Sequence, residues 1–229
     1  MHVSTRSSPP AAPASPHSQH SLPYWRLSGY YFFYFAFIGA FSPYFGLYLQ
    51  SLSFSAWDIG LLMSQMQLMR LFGPYIWGSL ADRAARRVPI VRLAAAASVV
   101  GFSAFFFASD FVALLVAMAL MAFFWSAALP LVETITFDHL RDESAKYSRI
   151  RVWGSVGFIF AVMATGALLD FVPLPALLWV CLGTLLGILL YAVAMPEAPV
   201  HCALGDPMPV AKVLRQRHVK ALLASCFAM

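Results

Sequence analysis

The sequence predicts an all-α integral membrane protein with six spanning helices, and three observations lead there. Apolar types make up 61% of the 229 residues and charged types 11%, against about 45–50% and about 25% in a soluble domain. Six apolar runs lie at about 28–49, 59–80, 89–108, 111–132, 152–169 and 174–195. Each is long enough to cross a ~30 Å hydrocarbon core as a helix rising ~1.5 Å per residue. None alternates with a period of two, which excludes the ~10-residue spans of a β-barrel.

Residues 1–23 form a tail of Ser, Pro, Ala and His with a single Arg. It lacks the apolar stretch of a signal peptide and reads as disordered. The first run carries Tyr30, Tyr34, Phe37, Phe41, Tyr44 and Tyr48, spaced alternately by four and three, so the rings share one helix face. Such a stripe packs against helices or faces lipid. Its four hydroxyls point instead to a cavity wall, where Tyr stacks on a ring or hydrogen-bonds a polar group.

The second run holds Gln65, Gln67 and Arg70. Arg70 lies 12 residues before Asp82, ~18 Å from the helix end, too far for snorkelling. An intramembrane charge costs ~2.5–3.5 kcal/mol or more, so Arg70 either knots helices together or binds a ligand. The loop that follows reads GSLADRAARR, and Pro89 suits the first turn of the third helix.

Glu133 ends the fourth run and Arg151 opens the fifth. Each reads either as an interfacial charge or as a cavity residue. Gly154, Gly157 and Ala161 give the fifth helix a small-residue face for close packing. Arg151 and Phe158 are seven apart and nearly eclipsed, ~10 Å apart along the axis. After the sixth run comes a polar, Pro-containing loop, 196–217, and then 218–229, which reads as the start of a seventh helix.

Fourteen of the fifteen Lys and Arg fall before the first run, between the second and third (Arg92 just inside the third), between the fourth and fifth, or after the sixth. The exception is Arg70. The alternate loops hold only Asp58, Asp110 and Asp170. The positive-inside rule therefore places the N-terminus in the cytoplasm. The basic residues form no stripe, so no nucleic-acid partner is expected. Three Cys without a CxxC pair and six scattered His predict no disulfide framework and no metal. No HExxH or GxSxG occurs, so no catalytic residue and no cofactor is expected.

The loop from Gly78 to Arg87 resembles the signature of the major facilitator superfamily, G-x-x-x-D-R/K-x-G-R-R/K. Gly78, Asp82, Arg83, Arg86 and Arg87 match, and Ala85 replaces the late glycine. The stretch from Pro130 to Phe158 is similar to proton symporters of the lactose permease type. Pro130, Val132 and Glu133 match the end of their fourth helix, and Arg149, Arg151 and Gly154 match the start of the fifth. The run RIRVWGSVGFI is more similar still to the 3-phenylpropionate permease branch.

The resemblance covers about residues 24–195. It implies the six-helix N-terminal half of a twelve-helix fold, built from two inverted three-helix repeats, in a bacterial inner membrane. It implies a secondary transporter working by alternating access, with protons and a small organic solute as partners and a C-terminal six-helix half still to be supplied. An aromatic acid such as phenylpropionate is the expected solute; a sugar or nucleoside is the alternative, as is a half with no transport of its own. The implied substrate residues are Glu133, Arg151, Phe158, Arg70, Tyr34 and Phe37, with Arg151 and Glu133 as a polar floor and Phe158 above Arg151. Gly78, Asp82, Arg83, Arg86 and Arg87 form the implied gating loop.

Overall fold

The computed structural model describes residues 23–84, 86–108, 110–140 and 144–197, together with Val219 and Ser225. Among the described residues six α-helices follow in order: α1 Tyr24–Ser51, α2 Ala56–Ala84, α3 Val88–Ser103, α4 Phe111–Leu140, α5 Ser144–Leu169 and α6 Ala176–Ala194; a short 3₁₀ turn, Ala104–Phe106, extends α3. Five of the six are long and apolar enough to cross a membrane. The sixth, α2, has the length, at 29 residues, but Gln65, Gln67 and Arg70 dilute its apolarity. Most of the tail, the 196–217 loop and the 218–229 segment lie outside the described residues; Val219 and Ser225 have helical backbone.

The helices outrun the apolar stretches that announce them. Continuing to Leu140, α4 goes eight residues past the expected end, and α5 begins eight residues early, at Ser144. Glu133 to Leu140 contains neither Gly nor Pro, so nothing breaks the helix where apolarity stops. Pro89 does sit in the first turn of α3.

Neighbouring helices follow the order α5–α1–α6–α3–α4–α2. Exchanging α1 with α4, α2 with α5 and α3 with α6 maps this set of contacts onto itself. The molecule is thus two three-helix units related by inversion, with α2 and α5 on the flanks.

Small residues set the closest approaches. A Cβ on Gly157 would stand 2.2 Å from the Phe32 carbonyl oxygen, and one on Gly39 would stand 2.6 Å from that of Phe158. The small face of α5 therefore lies directly on α1. The aromatic stripe of α1 turns inward. Tyr30, Tyr34, Phe37, Phe41 and Tyr48 are buried, and Phe37 meets Phe41, Phe102 and Trp125 with ring centroids 5.3, 6.2 and 5.7 Å away. Phe37 thus belongs to the packing core among α1, α3 and α4, not to an open cavity wall. Interdigitated ring faces bury more area than a wetted wall would.

Charges cap the helix ends. At the start of α2, Ser55 Oγ donates to Asp58 Oδ2 at 2.6 Å and the Asp58 N–H donates back to Ser55 Oγ at 3.2 Å, a reciprocal N-terminal cap. Asp110 accepts the Ala113 N–H at the start of α4. At the opposite end, Glu197 accepts the Arg87 N–H at 3.1 Å, next to the start of α3. Arg26 donates to the Ala194 carbonyl at 2.9 Å, and Arg92 donates to those of Ala192, Val193 and Met195. Carboxylates thus meet helix N-termini and guanidinium groups a C-terminus, as helix dipoles favour.

Candidate functional site

The open side of the bundle is lined from the two flanking helices and the two central ones, α1 and α4. Arg151 lies in the first third of α5. Its Nε stands 4.0 Å from Glu133 Oε1 of α4, with both side chains about one-third exposed. The guanidinium carbon sits 4.1 Å from the centre of the Phe35 ring and 5.6 Å from that of Tyr31. Tyr147 donates its hydroxyl to Glu133 Oε1 at 3.4 Å and stacks on Phe137, ring centroids 4.7 Å apart. Glu133 is therefore flanked by one cation and one hydroxyl, both from α5.

Arg70 sits near the middle of the bundle on α2. Its guanidinium lies 5.3 Å from the Trp125 ring of α4, and Nη1 donates to Gln67 Oε1 at 3.4 Å. Trp125 in turn stacks on Tyr34, with centroids 4.7 Å apart and planes 3° off parallel. Arg70, Glu133 and Arg151 are all within interaction range of the Tyr34 hydroxyl. The Tyr34 ring is itself buried, so it supports the site from beneath.

These two arginines stand in similar local settings on the two flanking helices, though at different depths along them. Arg70 begins the run RLFG and Arg151 the run RVWG. Each lies on a flanking helix, three residues before a glycine that touches a central helix. A Cβ on Gly73 would meet Ser126 of α4, and one on Gly154 would meet the Phe35 ring of α1. Each arginine also covers an aromatic ring of that central helix.

Phe158, the remaining substrate candidate, lies two turns above Arg151 and is 38% exposed. The Arg151 guanidinium lies over Phe35 and Tyr31, not over Phe158. In the loop signature, Gly78 has open space where a Cβ would go, and Arg83 and Arg86 are exposed. Arg87 forms an ion pair with Asp138 of α4. Asp82 lies in the last turn of α2, and its side chain is outside the described residues. Sequence reasoning missed Trp125, Phe35, Tyr147, Asp138 and Glu197. Asp138 and Tyr147 lie where helix continued past the apolar runs. For Trp125 a signal was present, an indole at the midpoint of a spanning helix.

A bundle of inverted three-helix units with intramembrane cations on its open side is a six-helix half of the major facilitator fold, the architecture of membrane transporters. The chain belongs to the MFS_1 like family, whose model matches residues 24–229. It is 28% identical over 197 residues to the maltose permease of Geobacillus stearothermophilus, covering 86% of this chain and 48% of the permease. It is 32% identical to the uncharacterized transporter YwbF of Bacillus subtilis over 148 residues, 62% of this chain and 36% of YwbF. It is 25% identical to a probable 3-phenylpropionic acid transporter of Escherichia coli over 177 residues, 76% and 46% of the two chains. The chain thus spans about half the length, or less, of the curated relatives it matches. The crystal structure of the D323A mutant of the nucleoside transporter NupG superposes with a TM-score of 0.74 at 21% identity, covering 88% of this chain and 50% of that one. That likeness establishes the fold.

Proposed function

We propose that this chain is the N-terminal half of a secondary transporter that binds a small aromatic carboxylate between two six-helix halves and couples its uptake to protons. The observation that carries the reading is the imbalance of charge on the open side. Arg70 and Arg151 approach the Tyr31–Phe35 segment from opposite flanks, against one carboxylate among the described residues there, Glu133. Glu133 is placed to balance Arg151. Arg70 has neutral neighbours, the Gln67 amide, the Trp125 face and the Tyr34 hydroxyl, and no paired carboxylate among the described residues. A carboxylate ligand completes the neutralisation, and the guanidinium fork binds it through two donors. Exposed Phe158 offers a surface for the ligand's ring. Similarity to a protein named as a probable 3-phenylpropionic acid transporter supports the same class.

A sugar is the second reading. The Tyr147–Glu133–Arg151 cluster offers donor and acceptor groups suited to hydroxyls, and a maltose permease is among the relatives.

In this reading residues 1–23 and 196–217 are cytoplasmic, 24–195 form the transport half, 218–229 begin the seventh helix, and the protein sits in a bacterial inner membrane. The loop from Gly78 to Arg87 gates the cytoplasmic side, with the Arg87–Asp138 pair holding it against α4.

The test is uptake of labelled 3-phenylpropionate and of maltose by cells that make this chain together with a C-terminal six-helix half. Uptake of the acid that a protonophore abolishes and that Arg70→Gln removes is the expected result. Uptake of maltose alone, untouched by Arg70→Gln, transfers the site to the sugar reading. Cysteines at positions 110 and 170 should be labelled from outside intact cells, and a cysteine at 86 should not.

A further inference from the structure

A second surface, on the side of α1 away from the candidate site, combines three features. The first is a cluster of aromatic rings at the basic end of the bundle. Trp25 and Trp153 meet with ring centroids 5.8 Å apart. The Trp153 indole N–H donates to the Tyr24 hydroxyl at 3.1 Å, and that hydroxyl lies 3.5 Å from the Arg149 carbonyl. Trp25 is 69% exposed. Tyr and Trp held this way mark the level of the membrane–water interface.

The second feature is charge. Arg26 and Arg149 are exposed on either side of these rings. Arg26 spends one donor on the Ala194 carbonyl and has others left, since a guanidinium carries five. The third feature is a groove of about 150 Å³ between α1, α5 and α6, lined by Phe32, Ala36, Phe160, Ala164 and Val180 among others. It exists because α5 and α6 scarcely touch each other while both lie against α1.

The three features share one stripe. Trp25, Phe32 and Ala36 are spaced by seven and four on α1, and Arg149, Trp153, Phe160 and Ala164 by four, seven and four on α5, so each set occupies one helix face. Ala164 stands eleven residues above Trp153, or ~16 Å, the depth of one leaflet of a ~30 Å core.

We propose that this face holds one anionic phospholipid of the leaflet at the basic end, its phosphate between Arg26 and Arg149 beside Trp25 and Trp153, and one acyl chain laid along Phe32 and Phe160 in the groove. Charge decides the headgroup, because two cations with no carboxylate paired to them among the described residues favour a net negative lipid over a zwitterionic one. Depth decides the occupant, because an apolar groove opening at the level of hydrocarbon is filled by acyl chain. The site is separate from the Arg70–Glu133–Arg151 region, and its failure leaves the transport reading intact.

The test uses the full chain in vesicles of phosphatidylcholine mixed with phosphatidylglycerol, purified in mild detergent, with the retained lipid measured by mass spectrometry. Phosphatidylglycerol should be enriched over the vesicle ratio by roughly tenfold, as one charge-assisted contact provides. Arg149→Gln combined with Trp153→Leu should return the ratio to that of the vesicles. Ala164→Trp, which fills the groove, should lower the total lipid retained. The unsubstituted chain gives an independent reading: phosphatidylglycerol brominated on its acyl chains should quench tryptophan fluorescence more than brominated phosphatidylcholine does. Equal retention or equal quenching of the two lipids overturns the proposal. So does enrichment that survives the double substitution, or a dimer that excludes lipid and that Ala164→Trp dissolves.

Discussion

The pair formed by α5 on α1 and the pair formed by α2 on α4 are the same arrangement twice, and they differ in how each arginine is balanced. On the α5 side, Arg151 faces a carboxylate 4.0 Å away. On the α2 side, Arg70 has neutral neighbours, an amide, an indole face and the Tyr34 hydroxyl. The helix contacts differ as well. On α1 the approach is backbone to backbone, Gly157 against the Phe32 carbonyl, whereas on α4 it is glycine against a side chain, Gly73 against Ser126. The repeat supplies the scaffold, and single substitutions upon it decide which arginine is paired with a carboxylate and which has neutral neighbours.

The largest effect should come from the tighter contact. Gly157→Val places atoms where the Phe32 carbonyl stands, and that backbone cannot move without separating α1 from α5. A loss of about 3 kcal/mol, the upper end of the usual overpacking cost, is expected, seen as loss of the folded fraction in detergent thermal melts. Near-normal melting would show that the two helices slide freely.

Arg70→Gln should cost the carboxylate ligand ~1.5–3 kcal/mol, a factor of ~10–150 in affinity, read by titrating 3-phenylpropionate into the two-half protein. Arg151→Lys should cost less, because Glu133 already satisfies that charge in part. The reverse ranking would make the paired arginine the anchor and break the comparison.

Gly73→Ala should be milder than Gly157→Val, about 1–2 kcal/mol, because the obstacle is the Ser126 side chain, which a second substitution can remove, rather than a backbone carbonyl. Ser126→Gly in the same chain should recover most of the melting temperature. The smallest effect belongs to Asp138→Asn. Its pair with Arg87 is more than one-third exposed on both sides, and such pairs are worth about 0–1 kcal/mol. Thermal stability should hardly move, and any fall in uptake would then report on gating.

The fold was readable because lipid demands long apolar helices and because basic residues sort by loop. Less readable were the places where one apolar residue is as good as another for lipid but not for packing. Phe37 and Tyr34 belong to a stripe whose spacing fits core and cavity equally well; only the ring contacts with Phe102 and Trp125 assign them to the interior. The ends of α4 and α5 escaped because a helix stops at a breaker, and the residues from Glu133 to Leu140 include none. Arg70 stood out because its charge has no cheap explanation at that depth. Trp125, its neighbour, stayed hidden among many apolar residues on α4.

The capping of α6 bears on how the protein is made. Its last carbonyls are closed by Arg26 and Arg92, which precede their partners by 168 residues and by as many as 103. A ribosome delivers these arginines long before the groups they will hold. Through synthesis of the helices between, four for Arg26 and two for Arg92, these arginines must wait in the headgroup region, and the first and third helices stay untied at that end. Only when residue 195 has left the exit tunnel can the two arginines fasten the sixth helix to the first and third. The late arrival of one short helix end thus acts as the clasp of the whole bundle, and nascent chains halted just before it should remain open to protease at the basic end.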